Sequence, residues 1–391
     1  MQFRIERGVL ADAVAWAAGS LPARSPVPVL GGLLLTAGKG RLALSGFDHE
    51  ASAHIEVAAG TGAAWQVLVL GRRLLDICKV LPEATLTCAM EGSRFTVEGG
   101  GISFGLSTLP VAEYPALPAL PARRGSVDAA AFATAVAQVS VAAGRDEALP
   151  VLSGIQLRLD GASMTLAASD RYRYAVRTLP WRPDRPDPEP AQVVIPGRRL
   201  AELSRSLAKA GTLTVGLDAP VGGGGSGRGL IAFEGSRART TLRLLDGRLP
   251  RYDKLFALAD PAVAVTGREM LAEAVRRVAV VAEPNSPVRL GFRADQTVLL
   301  QAGYEDDIAA QRLPCALTGA DDLTVAFNPA YLLDALTSLR APRVRFELLG
   351  PGQRALLSGA PAAEGTSRAD GAVAPASGEH RHLLMSVRQL A

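Results

Sequence analysis

The 391-residue sequence has few of the residues from which metal sites, disulfide frameworks and catalytic centres are usually built. It contains three cysteines and four histidines, and aromatic residues make up only 5% of the chain. Three cysteines scattered along the chain do not form a disulfide framework, which favours reduced thiols in a cytoplasmic protein. The histidines have neither the spacing of a metal cluster nor the pattern of a catalytic triad. We therefore expect no metal, no cofactor and no enzyme activity.

Long apolar runs are missing as well. No apolar stretch approaches the ~18–20 residues that are needed to span a bilayer. The first residues of the chain also lack the apolar segment of a signal peptide. Both absences predict a protein without a membrane partner. The net charge of +4 permits a polyanionic partner but does not require one.

A phosphate-binding loop is the third absence. The sequence has no G-x-x-x-x-G-K-[ST] motif, although Gly222, Gly224 and Gly227 formally match G-x-G-x-x-G. That motif binds phosphate only where a strand precedes the loop and a helix follows it. Here the residues that follow, Leu230–Phe233, have the pattern of a strand, so a flexible hairpin tip is the favoured interpretation. An enzyme that binds a nucleotide at this loop is the alternative, and a nucleotide-binding assay would test it.

What the sequence does contain is an internal repeat, whose first two copies align without a gap after a shift of 122 positions. The copies lie at Val27–Gly32 with Ser45–Asp48, at Leu149–Gly154 with Ala167–Asp170, and, more weakly, at Ser286–Leu290 with Gly303–Glu305. A spacing of roughly 120 to 140 residues is too long for a solenoid repeat. The repeat therefore predicts three domains of one fold, covering 1–122, 123–256 and 257–391.

Each domain is predicted to contain two helices packed on antiparallel strands, which makes the fold class α+β. Gly19 marks the end of the first helix, and Asp128 and Thr266 precede the matching patterns in the other two domains. The apolar faces of these first helices are predicted at Val9, Leu10, Ala13, Val14 and Ala17, at Phe132, Val136 and Val139, and at Met270, Leu271, Ala274, Val275 and Val278. The second helices are predicted at Gly71–Cys78, Gly197–Leu203 and Asn328–Leu333, and the linkers at Pro115–Ala122 and Asp253–Pro261.

Basic residues lie at helical spacing in several of these segments. Arg198, Glu202, Arg205 and Lys209 fall at positions i, i+4, i+7 and i+11, which predicts one charged stripe on the helix. A charged outer face is ordinary for an amphipathic helix, so each stripe alone is weak support for nucleic-acid binding. Its recurrence in related helices favours a polyanion that is bound through its backbone, without sequence preference and with strong salt dependence.

Several short motifs are specific enough to suggest a family. They are Val27–Gly31, Asp76–Cys78 with Leu81–Glu83, Phe104–Pro110 with Tyr114–Pro115, Leu149–Leu152, Ser169-Asp170-x-x-Arg173, Pro250-x-Tyr252, Asn328-x-x-Tyr331-Leu332-Leu333-Asp334 and Leu383-Leu384-Met385-x-Val387-Arg388. With these motifs the chain resembles, over its whole length, the β subunit of bacterial DNA polymerase III, the ring-shaped sliding clamp. The resemblance implies three repeated DNA-clamp domains per chain and a head-to-tail homodimeric ring, with helices facing the hole and sheets outside.

The resemblance also implies a function. A ring that encircles double-stranded DNA tethers the polymerase, which then rebinds at high effective concentration. Its implied partners are duplex DNA of any sequence, the α subunit of DNA polymerase III, the clamp loader, and other replication and repair polymerases that dock through short peptides. The DNA-contacting residues are expected to be Arg24, Arg72, Arg73, Lys79, Arg198, Arg199, Arg205 and Lys209. The dimer seam is expected to join Phe104 and Leu106 of one chain to Ala279 and Val280 of the other.

A peptide-docking groove is implied between the second and third domains. Its expected residues are Leu152, Ser169, Arg171, Tyr172, Arg173, Tyr174, Pro250, Tyr252, Leu255, Leu357, Leu384, Met385, Ser386, Val387 and Arg388. An apolar slot with a polar rim suits an extended peptide that has hydrophobic anchors.

Four residues in this groove depart from the family pattern. The family commonly has Gly and His where this chain has Arg171 and Tyr172, an aliphatic residue where Tyr174 stands, and Pro where Ser386 stands. Residues 389–391 also run past the usual end. We expect docking to be retained but altered, and the alternative is a second clamp copy that tolerates a groove-binding antibiotic, or a specialised adaptor ring.

Overall fold

Two antiparallel sheets contain the strands of this protein, in a computed structural model that describes residues 1–22, 27–146, 148–186, 189–218, 229–283, 286–304, 306–362 and 380–388. The chain forms two compact units. Unit 1 consists of residues 1–130, 181–189 and 202–244, and unit 2 of residues 131–180, 190–201 and 245–391. Each sheet lies within one unit.

The strands, in chain order, are β1 (Gln2–Glu6), β2 (Gly32–Gly38), β3 (Arg41–Phe47), β4 (Ala51–Ala58), β5 (Gly60–Thr61), β6 (Trp65–Leu70), β7 (Thr85–Glu91), β8 (Arg94–Gly99), β9 (Ile102–Leu109), β10 (Arg123–Asp128), β11 (Gly154–Asp160), β12 (Ser163–Ser169), β13 (Arg173–Pro180), β14 (Arg182–Pro183), β15 (Ala191–Pro196), β16 (Thr212–Leu217), β17 (Leu230–Glu234), β18 (Ala238–Arg243), β19 (Ala262–Gly267), β20 (Val288–Arg293), β21 (Thr297–Tyr304), β22 (Asp307–Thr318), β23 (Leu323–Phe327), β24 (Arg343–Leu348), β25 (Arg354–Ala360) and β26 (Arg381–Met385). The helices are α1 (Arg7–Ala18), α2 (Gly71–Val80), α3 (Ala129–Ser140), α4 (Pro150–Ser153), α5 (Gly197–Leu207), α6 (Tyr252–Phe256), α7 (Arg268–Val278) and α8 (Pro329–Ser338). Short 3₁₀ turns occur at Pro28–Gly31, Val111–Glu113 and Ala279–Val281.

The sheet of unit 1 joins strands from the first and second sequence repeats. Its order is β14-β10-β16-β17-β18-β4-β3-β2-β6-β9-β8-β7-β1-β5. The two repeats meet where β18 pairs with β4, with Ala238 opposite Ile55. On one side of the sheet, α1 and α2 cover a core that includes Phe3, Trp65 and Phe95. Ring centroids of Phe3 and Trp65 lie 5.8 Å apart, which indicates close aromatic packing.

The sheet of unit 2 joins strands from the second and third repeats. Its order is β15-β11-β12-β13-β26-β25-β24-β19-β22-β21-β20-β23. Strand β26 lies between β13 and β25, with Leu384 opposite Arg173 on one side and opposite Ala355 on the other. Helices α7 and α8 pack on the main core of this unit. A smaller apolar cluster that includes Tyr174, Leu249 and Phe256 lies beside it.

The predicted helices are confirmed, with corrections at their ends and faces. Helix α1 ends at Ala18 with Gly19 as its C-terminal cap. Asn328 caps the start of α8, where its Oδ1 accepts hydrogen bonds from the N–H of Ala330 and Tyr331 (2.9 and 3.3 Å). Val9 and Met270 were assigned to apolar faces, but both side chains are exposed. The linker predicted at Asp253–Pro261 is wrong at its start, because α6 forms there.

Strand β17 confirms the strand predicted after the glycine-rich segment, whose glycines lie outside the described residues. A strand in that position supplies no helix terminus for a phosphate. No helix within the described ranges combines the length and the apolar character needed to cross a membrane.

Candidate functional site: an apolar groove in unit 2, basic helix residues and an apolar seam

The C-terminal strand β26 forms one wall of the expected groove. As β26 ends, Met385 and Val387 are left 39% and 38% exposed, so their apolar side chains are available to a partner. Leu384 and Leu357 are fully buried. Since their side chains lie in the core, these two residues support the groove from beneath and do not line its surface.

The short helix α6 carries the residues expected to form the opposite wall. Tyr252 and Leu255 project from it and are partly buried against the apolar cluster. Arg354 in β25 donates from Nη1 to the carbonyl oxygen of Leu255 at 2.9 Å, and this bond occupies a carbonyl that the short helix cannot pair internally. Tyr174 is buried beneath the helix and donates its hydroxyl to the carbonyl oxygen of Pro250 at 2.9 Å. Burial raises the pKa of Tyr174 above its usual range, so this residue is a neutral structural support.

The loop from Ser169 to Arg173 closes one end of the groove. Arg171 has a φ of 82°, in the left-handed region where glycine is favoured. The conformation is held by local bonds: Ser169 Oγ donates to the carbonyl oxygen of Arg173 at 2.8 Å, and Asp170 Oδ1 accepts from the N–H of Tyr172 at 3.1 Å. A positive φ explains physically why glycine suits this position, and why an arginine here is strained.

Arg173 is the charged centre of this end of the groove. Its Nε lies 2.9 Å from Asp170 Oδ2 and its Nη1 lies 2.6 Å from Asp334 Oδ2. Its guanidinium carbon also lies 4.3 Å from the ring centroid of Tyr331, a cation–π distance. The ring of Tyr172, 60% exposed, stacks on Tyr331 with centroids 6.3 Å apart. One buried cation therefore fixes both an ion-pair network and an aromatic platform.

A cavity of about 430 Å³ opens beside this platform. Its walls combine the aromatic pair with Leu149 and Leu152, and charged groups line its rim (Arg145, Asp146, Asp170, Arg171, Arg173 and Asp334). The apolar walls can bury a hydrophobic side chain, and the rim can bind polar groups beside it. We name this space the platform cavity.

Ser386 anchors the segment that follows β26. Its N–H donates to the carbonyl oxygen of Gln353 at 3.0 Å, and its Oγ accepts from the N–H of Gln353 at 2.9 Å. Proline cannot make the first bond because it lacks an N–H, and it has no hydroxyl for the second. The serine therefore ties the exposed Met385 and Val387 to the turn around Gln353.

Every expected groove residue lies in unit 2, and the structure brings them together around α6, β13 and β26. Sequence reasoning missed the supporting residues Asp170, Tyr331, Asp334 and Arg354. The first three belong to motifs that the sequence displays, Ser169-Asp170-x-x-Arg173 and Asn328-x-x-Tyr331-Leu332-Leu333-Asp334, so a motif-by-motif search would have found them. Arg354 has no such signal, because its role depends on backbone contacts far along the chain.

Six of the eight expected DNA-contacting residues lie on helices α2 and α5. Arg72 and Arg73 are exposed on α2, and Arg72 Nη2 donates to the carbonyl oxygen of Pro22 at 3.0 Å. Lys79, at the end of the same helix, lies 3.1 Å from Asp76 Oδ1. On α5, Arg198 and Arg205 are exposed and Arg199 is half-buried. Arg24 lies outside the described residues.

Lys209 needs a correction. It was predicted to continue the stripe of α5, but the helix ends at Leu207. Lys209 is exposed in the turn that follows, so its direction is not set by the helical repeat.

The expected seam residues carry apolar surface in both units. In unit 1, Phe104 and Leu106 line a cavity of about 530 Å³ together with Leu70 and Val80. In unit 2, Val280 is 80% exposed and the neighbouring Ala279 is half-buried. Exposed apolar surface of this kind is typical of protein–protein contact sites.

The described residues contain no metal centre. They include no group of three or more His, Cys, Asp or Glu side chains that could hold a metal ion. Burial raises the pKa of Cys78 and Cys315 to about 11 and that of Cys88 to about 12, so these thiols stay protonated at neutral pH. A protonated, buried thiol is a poor nucleophile. The repeated domains, the exposed cations on α2 and α5, and the exposed apolar groups around β26 together define a protein built to bind other molecules.

Comparison with known proteins gives the family. Three family models match in succession: the N-terminal domain of the DNA polymerase III beta subunit over residues 1–118, its central domain over 126–251 and its C-terminal domain over 255–367. The chain is 46% identical to the beta sliding clamp of Streptomyces coelicolor and 39% identical to the beta sliding clamp homolog GriR of Streptomyces muensis, each over 99% of both chains. A solved Pseudomonas aeruginosa sliding clamp bound to griselimycin is similar over 100% of both chains, with a TM-score of 0.85 and 26% identity.

The chain therefore belongs to the beta sliding clamps, the beta subunits of DNA polymerase III. It has their three-domain α+β fold with antiparallel sheets. It is a non-catalytic processivity factor for DNA polymerase III in DNA replication.

Proposed function

We propose that two copies of this chain form a closed ring around duplex DNA in the cytoplasm and carry replication proteins along it. The observation that carries the proposal is the succession of three clamp-domain matches along one chain, which supplies half of such a ring. The domain bounds that we propose are 1–122, 123–256 and 257–391. Encirclement holds DNA by topology, so the individual contacts with DNA can stay weak enough for sliding.

The DNA contacts in this proposal are the exposed cations of α2 and α5. Arg72, Arg73 and Arg198 are exposed and carry positive charge on helices. Arg24, Lys79, Arg199, Arg205 and Lys209 complete the proposed set. Contacts from Lys and Arg to phosphates are independent of base sequence and weaken as salt rises. That property is what a mobile ring requires.

The proposed seam joins Phe104 and Leu106 of one copy to Ala279 and Val280 of the other. Ala279 is smaller than the aliphatic residue common at this position in the family, and each missing methylene removes about 0.8 kcal/mol of apolar burial. We therefore expect a dimer no tighter than that of a typical clamp. Sedimentation at nanomolar concentration checks this, and an unusually persistent dimer would contradict it.

The proposed docking site is the groove between α6 and β26, including the platform cavity. Its accessible apolar groups, the exposed Met385 and Val387 and the partly buried Tyr252 and Leu255, suit the hydrophobic anchors of an extended peptide. The proposed partners are short segments of the polymerase α subunit, of the clamp loader and of other replication and repair polymerases. All of them would compete for one groove on each chain.

Encirclement is tested by loading the protein onto nicked circular DNA with a clamp loader and washing at moderate salt. We expect retention on the circle and rapid release when the circle is cut, because a ring slides off a free end. The double variant Arg72→Ala, Arg73→Ala should bind DNA more weakly before it is loaded, in the part of the binding that depends on salt. Once loaded on the circle, it should still be released when the circle is cut. Equal retention on circular and linear DNA would overturn the proposal.

A second candidate function is that of a clamp copy that tolerates a groove-directed inhibitor. The observation that favours it is the crowding of one groove end by Arg171 and by the exposed ring of Tyr172. The similar Pseudomonas clamp binds griselimycin, so this compound is the natural probe. We expect weaker griselimycin binding here than by the Streptomyces coelicolor clamp, while a polymerase peptide still binds. Equal affinities of the two clamps for both ligands would exclude this candidate.

A further inference from the structure

A second cavity, of about 570 Å³, lies on the sheet of unit 1. Strands β3 and β4 contribute to it through Arg41, which precedes the buried Leu42, and through Glu56, which precedes the buried Val57. Leu42 and Val57 belong to the core that α1 and α2 cover. Because successive side chains of a strand point to opposite faces, Arg41 and Glu56 point away from those helices. The cavity is therefore separate from the cations of α2 that are proposed to contact DNA.

Positive charge dominates this space, which we name the basic cavity. Its charged groups are four cations and two carboxylates: Lys39, Arg41, Arg237, Arg239, Glu56 and Glu234. Glu56 is already engaged, since its Oε2 accepts from Arg41 Nη1 at 3.1 Å and its Oε1 lies 3.4 Å from His54 Nε2. An anion that enters the basic cavity therefore meets an excess of positive charge, which raises its local concentration.

Three of the cations keep their donors for a ligand. Lys39, Arg237 and Arg239 are exposed, and none of them forms an ion pair within the ranges that the structure describes. Arg239 lies opposite His54 where β18 pairs with β4, so its charge stands beside the middle of the basic cavity. A guanidinium presents paired donors that match two oxygens of a phosphate group. These cations therefore suit phosphate as a ligand.

The two turns that carry these cations have a fixed backbone. Lys39 and Gly40, between β2 and β3, have φ values of 52° and 74°, the geometry of a tight two-residue hairpin. The carbonyl oxygen of Arg237, between β17 and β18, accepts from the N–H of Glu56 at 3.0 Å and so ties the second turn to β4. Both turns are thus positioned before a ligand arrives, which lowers the entropic cost of binding.

The uncharged lining indicates what the ligand lacks. No Phe, Tyr or Trp is among the described residues that line the basic cavity, and its aliphatic side chains are Val57, Ala58 and Ala238. Without an aromatic platform the bases of a single nucleic-acid strand have nothing on which to stack. Without a deep apolar slot the hydrophobic anchor of a peptide cannot be buried. Recognition through charge alone remains.

We propose that the basic cavity binds a polyphosphate anion, that is, two or more linked phosphate groups, either free or as the phosphate tail of a nucleotide. Its cations form two groups on either side of β4: Lys39 with Arg41, and Arg237 with Arg239. Neighbouring strands lie about 4.8 Å apart, so linked phosphates can engage both groups at once. Since no surface holds a base, the free anion and the nucleotide bind equally well. This site goes beyond the proposed ring function and does not depend on it.

The test is calorimetric titration of the full-length protein at low salt with sodium tripolyphosphate, with ATP and with sulfate. We expect tripolyphosphate and ATP to bind one site per chain with similar affinity, and sulfate to bind at least about tenfold more weakly because it engages one group of cations. Binding should weaken as salt rises. Arg237→Ala with Arg239→Ala should weaken tripolyphosphate binding at least about tenfold, and Arg237→Lys with Arg239→Lys should retain part of it.

Arg4→Ala with Arg94→Ala is the matched control, because it removes two exposed cations of unit 1 that do not line the basic cavity. It should keep the full affinity for tripolyphosphate. Equal weakening by the two alanine pairs would reduce the effect to overall charge and overturn the site. ATP binding far tighter than tripolyphosphate binding would overturn recognition through phosphates alone.

Two further outcomes separate this site from nucleic-acid binding. A short single-stranded DNA that displaces tripolyphosphate at a lower concentration than ATP does would assign the basic cavity to nucleic acid and overturn the proposal. Absence of binding by both tripolyphosphate and ATP would also overturn it. Neither result touches encirclement, because retention on circular DNA is measured without these anions.

Discussion

Arg173 in β13 and Asp334 in α8, 161 residues apart in sequence, form an ion pair at 2.6 Å. The arginine comes from the second sequence repeat and the aspartate from the third, and both belong to unit 2. The Arg173 side chain is only 8% exposed, while Asp334 is 43% exposed. The pair therefore fastens a helix to the sheet at the end of the proposed groove, and its two members should differ in their importance for stability.

Removal of Arg173 should destabilise the protein strongly. Arg173→Ala leaves Asp170 buried without its ion-pair partner, and such a loss costs about 3–5 kcal/mol. Asp334→Ala should cost only about 1 kcal/mol, because the exposed partner is screened by water. The exposed pair Arg158–Asp160 offers the control, in which Asp160→Ala should change stability by less than about 0.5 kcal/mol. Urea unfolding measures all three, and similar losses for Arg173→Ala and Asp160→Ala would contradict the argument.

Two buried histidines in and beside β26 should make stability depend on pH. Burial lowers the pKa of His380 to about 4 and lowers that of His382 well below its usual 6.5. The unfolded chain takes up protons below about 6.5 and the native state resists them, so stability is complete above that pH and is lost as pH falls toward 4. The loss through His380 should reach roughly 2–3 kcal/mol.

His382→Leu should make stability fall less steeply as pH decreases, and it should raise stability at acid pH. Neither ring nitrogen of His382 has a hydrogen-bond partner among the described residues, so its replacement by an apolar side chain removes unsatisfied groups. His49, which is exposed and has a φ of 69°, provides the control, since His49→Asn suits that conformation and should leave the slope unchanged. Thermal unfolding from pH 7.5 to 4.5 measures this. A His382→Leu protein with the original slope would refute it.

Arg171→Gly should stabilise the protein although it shortens a side chain. Glycine adopts a positive φ freely, and the relief of strain, about 1–2 kcal/mol, exceeds the extra entropy of glycine in the unfolded state. We expect a net gain of up to about 1 kcal/mol, seen as a melting temperature that rises by a few degrees. Arg171→Ala keeps a Cβ and should show no gain. If both variants lose stability equally, the backbone at this position is not strained.

Arg354→Ala should weaken peptide docking without altering any groove side chain. Arg354 donates to the carbonyl oxygens of Lys254 and Leu255 at 3.1 and 2.9 Å, and these bonds hold α6. Without them Tyr252 and Leu255 should be less well positioned, at a cost of about tenfold in affinity. Arg354→Lys should recover part of the loss. Peptide titration by fluorescence anisotropy measures the effect. Unchanged affinity in the alanine variant would show that α6 keeps its position without the bonds from Arg354.

Local signals in the sequence predicted the helices well. Gly19 marks a helix end and Asn328 a helix start through contacts within one turn of the chain. Gly19 does so with its backbone N–H, and Asn328 with its side-chain cap. The family motifs likewise named the expected groove residues, because each motif is short and continuous, but they placed the groove between the second and third domains. The structure shows that these residues share one unit.

The remaining features depend on distant contacts. Leu384 and Leu357 are buried because β26 and β25 are both interior strands of the sheet, which no local pattern indicates. The short helix α6 was missed since five residues give no helical period and since its stabilising donor, Arg354, lies about a hundred positions away. Lys209 was misassigned because periodicity alone does not show where a helix stops.

Strand β26 has a consequence for how this protein can change over time. Five residues, Arg381–Met385, lie between β13 and β25 and pair with both strands. The exposed Met385 ends this strand, and the exposed Val387 follows two residues later. A mutation that deletes this tail would leave β13 and β25 with one paired neighbour each and would divide the sheet between them. Point substitutions beside the strand, at positions such as Arg171, Tyr172 and Ser386, leave this strand pairing intact.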